Sequence, residues 1–224
     1  MVMDRPRGLP NNNLVCWFNS VTQLLASSNS LKKNISQPGS SYLHRVVSWD
    51  WNGYSIRGYD GVAMQDVHEF FININKKRAI PRDLFFTRQR VFTKCLRCSA
   101  QRQMAPDENV YISNVKFNKD GSINLSSVEK REITCESCGY KYGEVQSHIS
   151  HAPKILMIYS SCNPTSFTLD RFNYKLQGQV IYTGAHYYAI GYRGKKIYIL
   201  NDTTITQTNK FAPKSFLALY DRTN

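Results

Sequence analysis

The sequence has no long hydrophobic run. Its longest stretch of large apolar residues is Ile155 to Tyr159, far short of the ~20 residues a helix needs to cross a bilayer, so no membrane insertion is expected. The opening Arg5-Pro6-Arg7-Gly8-Leu9-Pro10-Asn11-Asn12-Asn13 lacks the apolar stretch of a secretory signal, which points to a cytoplasmic setting. Acids are scarce, with 16 Asp and Glu against 29 Lys and Arg and a net charge of +13. That imbalance favours acidic or nucleic-acid partners and bears on association rather than fold. Charged residues make up only 20%, against 42% hydrophobic and 12% aromatic, which excludes a disordered or collagen-like chain. A length of 224 residues leaves room for one large domain or two small ones.

Cysteine placement is more informative than cysteine number. Of six cysteines, four form two Cys-x-x-Cys pairs, Cys95/Cys98 and Cys135/Cys138, while Cys16 and Cys162 stand alone. Without a secretion signal, this spacing reads as a tetrahedral four-thiolate zinc site rather than a set of disulfides. The segment 99–134 between the pairs is long enough to fold back and close one site. Four thiolates leave no open position for water, so one structural Zn2+ is expected. His44, His68, His148 and His151 read as ordinary surface or core histidines.

Periodicity divides the chain. Trp17, Val21, Leu24 and Leu25 make one apolar stripe of a helix beginning at Cys16 and stopping at Ser27-Ser28-Asn29-Ser30. Residues 32–60 look irregular, with Trp49 and Trp51 as anchors. A second helix is expected where Val67, Phe70, Phe71 and Ile74 share a face, closed by Pro81. From there the period shortens to two. Residues 85–92 and 110–117 read as strands, with Asp120-Gly121 as turn chemistry. So do 155–159, 180–182, 187–192, 196–200 and 216–220, with a tight turn at Arg193-Gly194. Helices segregated from antiparallel strands make the fold class α+β.

Cys16 stands where a turn enters a helix. Free backbone N–H groups and the helix dipole favour a thiolate there, although a lone cysteine at such a place also reads as a buried structural residue. A base would decide between the two. The best candidate is His186, in Gly184-Ala185-His186-Tyr187, where a short loop enters a strand. Asn201 and Asp202 return beside it across the Arg193-Gly194 hairpin and offer the group that would fix its tautomer. An ordinary hairpin with an Asn-Asp turn fits the same spacing.

These residues carry a resemblance. Gly8-Leu9-Pro10-Asn11-Asn12-Asn13-Leu14-Val15-Cys16-Trp17-Phe18-Asn19-Ser20-Val21-Thr22-Gln23-Leu24-Leu25 resembles the cysteine box of the ubiquitin-specific proteases. Gln65-Asp66-Val67-His68-Glu69-Phe70 resembles that family's Gln-Asp-x-x-Glu-Phe motif. Tyr174-Lys175-Leu176, Gly184-Ala185-His186-Tyr187-Tyr188-Ala189 and Leu200-Asn201-Asp202 resemble its histidine box. The two Cys-x-x-Cys pairs lie between, where the family's zinc-bearing fingers lie. Four landmarks occur in the family's order.

The resemblance implies a papain-like cysteine protease fold: a helical thumb over 1–84, zinc-bearing β fingers over 85–150 and an antiparallel β palm over 151–224. It implies Cys16 as nucleophile, His186 as general base, Asn201 as third residue with Asp202 assisting or substituting, and Asn11 as oxyanion donor. Thiolate attack, an acyl-enzyme and hydrolysis after the Gly-Gly end of ubiquitin or a ubiquitin-like protein would follow. Asp66, Glu69, Gly184, Ala185 and Tyr187 are then expected along the ubiquitin tail, the two acids answering its arginines. Asn13 and Ala185 replace glycines of the family pattern, the loop before His186 is short, and the chain is compact. Those departures suggest a compact or viral relative, similar to the papain-like proteases of coronaviruses, with a viral polyprotein as a further substrate and innate immune evasion as its setting. A catalytically inactive ubiquitin-binding module, or a nucleic-acid-binding zinc module using the basic clusters Lys76-Lys77-Arg78, Arg88/Arg90 and Lys94/Arg97, is the reading of another class.

Overall fold

The computed structural model describes residues 8–11, 15–35, 81–104, 107–109, 115–117, 129–160, 162–169 and 171–223, with the single positions 43, 45, 46, 67, 70, 112, 113, 123 and 124. Helix α1 (Cys16–Leu25) carries the expected apolar stripe, and Trp17, Val21, Leu24 and Leu25 are all buried. The pattern does break at Ser27, but the chain re-enters a helix at once, because Ser28 is an N-cap. Its Oγ accepts from the Leu31 amide at 2.9 Å and starts α2 (Asn29–Asn34). A run read as a stop is also a start. Of the second expected helix, Val67 and Phe70 are helical and buried, and Phe70 meets the Trp17 ring edge-on at 5.3 Å. Phe71, Ile74, Trp49 and Trp51 lie outside the described residues, as does most of the expected helical region. A one-turn helix, α3 (Arg82–Phe85), then precedes the first strand.

The described structure is mostly antiparallel sheet. One sheet has the order β2-β1-β8-β7, with β3 also pairing β1. Its strands are β1 (Thr87–Cys95), β2 (Gln101–Gln103), β3 (Asp107–Asn109), β7 (Glu129–Glu132) and β8 (Tyr142–His151). The larger sheet has the order β14-β13-β12-β11-β15-β9-β4, with β10 on β11. It comprises β4 (Ile112–Ser113), β9 (Ile155–Tyr159), β10 (Ser166–Leu169), β11 (Phe172–Tyr182), β12 (Tyr187–Arg193), β13 (Lys196–Asn201), β14 (Thr204–Thr208) and β15 (Leu217–Arg222). A short pair, β5 (Lys116–Phe117) and β6 (Ile123–Asn124), stands apart. The expected strand over 85–92 starts later, because Phe85 closes α3. The expected strand over 110–117 yields two short pieces, β4 and β5.

The middle of the larger sheet, β9, β11 and β15, is buried on both faces, which explains why β9 reads as a continuous apolar run. Ile155 and Met157 face α1 and share a core with Trp17, Leu24, Val180, Leu217 and Leu219. Leu156 and Ile158 face the other way, toward Phe167, Tyr174, Leu176, Ala218 and Tyr220. Along β11, Leu176 and Val180 would share a face in a regular strand, yet they belong to opposite cores. A bulge between Leu176 and Gly178, where register against β15 shifts, inserts one residue and reverses the parity. That reversal lets one strand serve both cores.

The carboxyl end of α1 sits on two glycines. Gly178 and Gly191 are register partners on β11 and β12. A Cβ on Gly191 would lie 2.0 Å from Ser27 Oγ, and one on Gly178 2.8 Å from Leu24 Cδ1. Into this contact Arg193 extends a buried guanidinium, donating to Gln23 O at 2.8 Å and Ser27 Oγ at 2.7 Å. Burial pushes its pKa down to about 9. A cation at a helix C-terminus also complements the dipole. Arg193→Ala is expected to lower the unfolding free energy by about 2–4 kcal/mol, since it leaves a cavity and removes two buried hydrogen bonds to the end of α1. A denaturant melt with an unchanged midpoint would contradict this.

Candidate functional site

Cys16 is the first residue of α1, 3% exposed. The N-cap Val15 contributes no side-chain hydrogen bond to the helix. Instead Asn11 Oδ1 accepts from the Val15 amide at 2.9 Å, tying the preceding segment to the helix entrance. The first intrahelical bond runs from the Asn19 amide to Val15 O, so the amides of the first turn point at the end where the thiol lies.

The other candidate groups come from the larger sheet. His186 precedes β12, after Gly184 at φ +95, and its Nε2 lies 2.6 Å from Asn201 Oδ1 at the end of β13. A carboxamide oxygen only accepts, so Nε2 is the donor in this bond, and in the neutral ring the lone pair is on Nδ1. Asp202 does not take that place. Its Oδ2 stands 3.8 Å from His186 Nε2, and its carboxylate is held by two amides. Asn11 Nδ2 donates to Oδ2 and Asn19 Nδ2 to Oδ1, each at 2.8 Å.

Asp202 ties the β13–β14 turn to α1 and to the segment before it. It occupies a left-handed conformation, φ +49, in the two-residue turn from β13 to β14, and its carbonyl accepts from the Leu9 amide at 2.9 Å. Gly8 allows this approach, because a Cβ there would fall 2.5 Å from Thr203 Cα. Asn19 further donates to Pro10 O at 3.1 Å. Cys16 and Asn19 are three apart on one helix, hence on one face. The face of α1 bearing the thiol is therefore the one turned to the Asn201-Asp202 turn. The cysteine-box resemblance implies no role for Asn19, and its three-residue spacing from Cys16 is the one sequence signal that the two share a face.

The two Cys-x-x-Cys knuckles meet as the spacing predicts. Strands β1 and β8 pair antiparallel through Lys94↔Glu144 and Cys95↔Gly143, which brings both knuckles to one end of the smaller sheet. Each knuckle closes with a left-handed residue after its second cysteine, Ser99 at φ +58 and Gly139 at φ +70. Matching bonds run from the amides of Ser99 and Gly139 to the carbonyls of Cys95 and Cys135. The sulfurs of Cys95, Cys98, Cys135 and Cys138 lie within 4.8 Å of one another, an arrangement able to hold a metal ion. An ion pair of Arg102 with Glu136 links the two halves.

Thiol chemistry agrees with such a role. The Cys98 amide holds the Cys95 thiol down at about 6, and the Cys138 amide likewise lowers that of Cys135. Although the Tyr140 amide favours its thiolate, burial and the three neighbouring sulfurs push Cys138 up to about 12. Four sulfurs this close can ionise together only around a cation.

No protein-family model matches the sequence, and no curated protein matches it significantly. The fold has a solved counterpart. A structure of the SAGA DUB module, Ubp8/Sgf11/Sus1/Sgf73, bound to monoubiquitin is similar to it at a TM-score of 0.69 and 15% identity, covering 98% of this chain and 69% of that one. The chain therefore shares the fold of a chain from a deubiquitinating module, at a sequence distance where the likeness speaks for architecture alone.

Asp66 and Glu69 lie outside the described residues. Gly184 and Ala185 are exposed in the loop before His186. Tyr187 is 5% exposed, stacked on Tyr182 at 4.4 Å and edge-on to Phe216, so its ring belongs to the core. Cys162 is exposed, as are His148 and His151 on β8, and none of the three belongs to the cysteine cluster. Arg88 and Arg90 are exposed on one face of β1, while Lys76-Lys77-Arg78 lies outside the described residues. No described helix is long and apolar enough to cross a membrane.

Proposed function

We propose that this protein is a cysteine hydrolase that cleaves the peptide or isopeptide bond after the C-terminal Gly-Gly of ubiquitin or a ubiquitin-like protein. The supporting observation is the bond from His186 Nε2 to Asn201 Oδ1 at 2.6 Å, on a turn that Asp202 fastens to Asn11 and Asn19 on either side of Cys16. With Nε2 protonated, His186 Nδ1 is the base that takes the Cys16 proton. The thiolate then attacks the glycine carbonyl, forming the C–S bond and an oxyanion. The second amide proton of Asn11, whose other proton is given to Asp202, is available to that oxyanion. Such a donor contributes on the order of 3 kcal/mol in the transition state of a serine protease. Collapse expels the amine, which takes the proton from His186. Water, deprotonated by the same nitrogen, hydrolyses the thioester and restores the thiol. Asn201 orients the ring; Asp202 positions Asn201 and Asn11.

Zn2+ at Cys95, Cys98, Cys135 and Cys138 would clamp the smaller sheet and take no part in the chemistry, because four thiolates leave no site for water. Reduced thiols at Cys16 and in the cluster suit a cytoplasmic protein.

Ubiquitin carrying a C-terminal propargylamide tests the reading directly. One adduct is expected, with the modified residue mapping to Cys16; no adduct, or one at Cys162, refutes it. Asn19→Ala is expected to lower kcat about 10–100-fold with little change in KM, because Asp202 loses an anchor and the His186–Asn201 pair shifts. A proportional rise in KM at constant kcat would instead place Asn19 in substrate binding.

A further inference from the structure

The basic end of the larger sheet carries a feature independent of the hydrolase reading. A hollow of about 520 Å3 lies among α2, β11, the β12–β13 turn and the end of β15, a volume in the range of small-molecule sites. Lys33, Lys175, Lys195 and Arg222 line it, one from each of those elements. Arg222 is already engaged, stacked on Phe172 at 4.3 Å and donating to Ala152 O. The three lysines are exposed, with no ion-pair partner among the described residues.

One carboxylate lines the hollow, and it is taken. Asp221, 4% exposed, accepts from Ser28 Oγ at 2.6 Å and from the Ser30 amide at 2.9 Å. It holds α2 in place and forms no ion pair with the lysines. Three unpaired ammonium groups, brought by three separate elements to one concavity, repel each other, and an anion with several charges relieves that repulsion. Concavity selects a compact anion over an extended backbone, which tracks along a groove. At ~3.3 Å per residue, the length of β12 puts the hollow about 20 Å from His186, so an occupant would not touch the thiol.

We propose that this hollow binds a compact polyphosphate anion, whose clustered phosphates come from a soluble polyphosphate or from a phosphorylated lipid headgroup. Tripolyphosphate titrated into the full chain by calorimetry is the primary test. Saturable binding of one anion per chain is expected. It should weaken at least tenfold in Lys33→Gln/Lys175→Gln/Lys195→Gln, and by less than about threefold in Arg97→Gln/Lys130→Gln/Lys141→Gln, which loses the same charge elsewhere. Acetylation of the unmutated protein supplies a second readout, with tripolyphosphate protecting Lys33, Lys175 and Lys195 above all other lysines. Vesicles of phosphatidylcholine with phosphatidylinositol bisphosphate separate the two sources. Co-sedimentation competed by tripolyphosphate identifies a headgroup, and its absence a soluble anion. Unsaturable binding, equal losses in both variants, or protection spread over all lysines would overturn the proposal.

Discussion

Cys16→Ala is expected to lower kcat/KM on a fluorogenic ubiquitin amide by about 10⁴-fold or more, as removal of a nucleophile does in other covalent hydrolases. Stability should change little. The residue is 3% exposed, and loss of one buried sulfur costs on the order of 1 kcal/mol. His186→Ala should match that loss, and the double variant should be no worse than either single one, because nucleophile and base act as a unit. Asn201→Ala should cost less, about 100-fold, since it frees the ring without removing the base. Asp202→Asn is a sharper case. The new amide keeps one acceptor oxygen but cannot accept from Asn11 and Asn19 on both sides as the carboxylate does, so the turn loosens and kcat falls. A Cys16→Ala protein that kept activity within tenfold would end the hydrolase reading.

Removing the metal is the second large expected effect. The smaller sheet has little apolar core near its knuckles. Leu96, Met104 and Tyr142 are 43%, 46% and 50% exposed, so side-chain burial cannot hold the β1–β8 end closed. Where ligands come from four points of a loosely packed segment, metal-binding free energy is folding free energy. A chelator, or Cys98→Ser, is expected to lower the melting temperature by about 10 °C or more. Amide protection should disappear around 95–103 and 132–143, while β9, β11 and β15, buried on both faces, keep theirs. Cys162→Ser should leave the melt unchanged, as that cysteine stands outside the cluster. An identical melt with and without chelator would mean the four thiols hold no structural ion.

Much of the larger sheet was legible because its core imposes a pattern. Ile155–Tyr159 had to be buried on both faces, and β9 occupies that stretch. Tyr142–His151 and Thr204–Thr208 were missed. These strands pair well but bury little, and a strand without a core side leaves a weak period in the sequence. Ser28 is ambiguous in the sequence because serine suits both breaks and N-caps, and only the Leu31 amide at its Oγ shows which. At the candidate site, Cys16 and His186 stand out as candidates through the family resemblance rather than local setting alone, whereas the bond of Asn19 to Asp202 is not legible, since its partner lies 183 residues away.

By itself the sequence determined the inventory and the short-range geometry: four thiols in two tight turns, a thiol at a helix entrance, and an imidazole one hairpin from Asn201 and Asp202. Spacing constrains residues only within a turn or two, because beyond that the chain has too many conformations to choose among. The tertiary structure decided which groups share a bond. It gave His186 to Asn201 rather than Asp202, set Asp202 between Asn11 and Asn19, and capped the far end of α1 with Arg193. Those contacts join residues as far as 191 positions apart, and only closure of the sheet onto the helix brings them within reach.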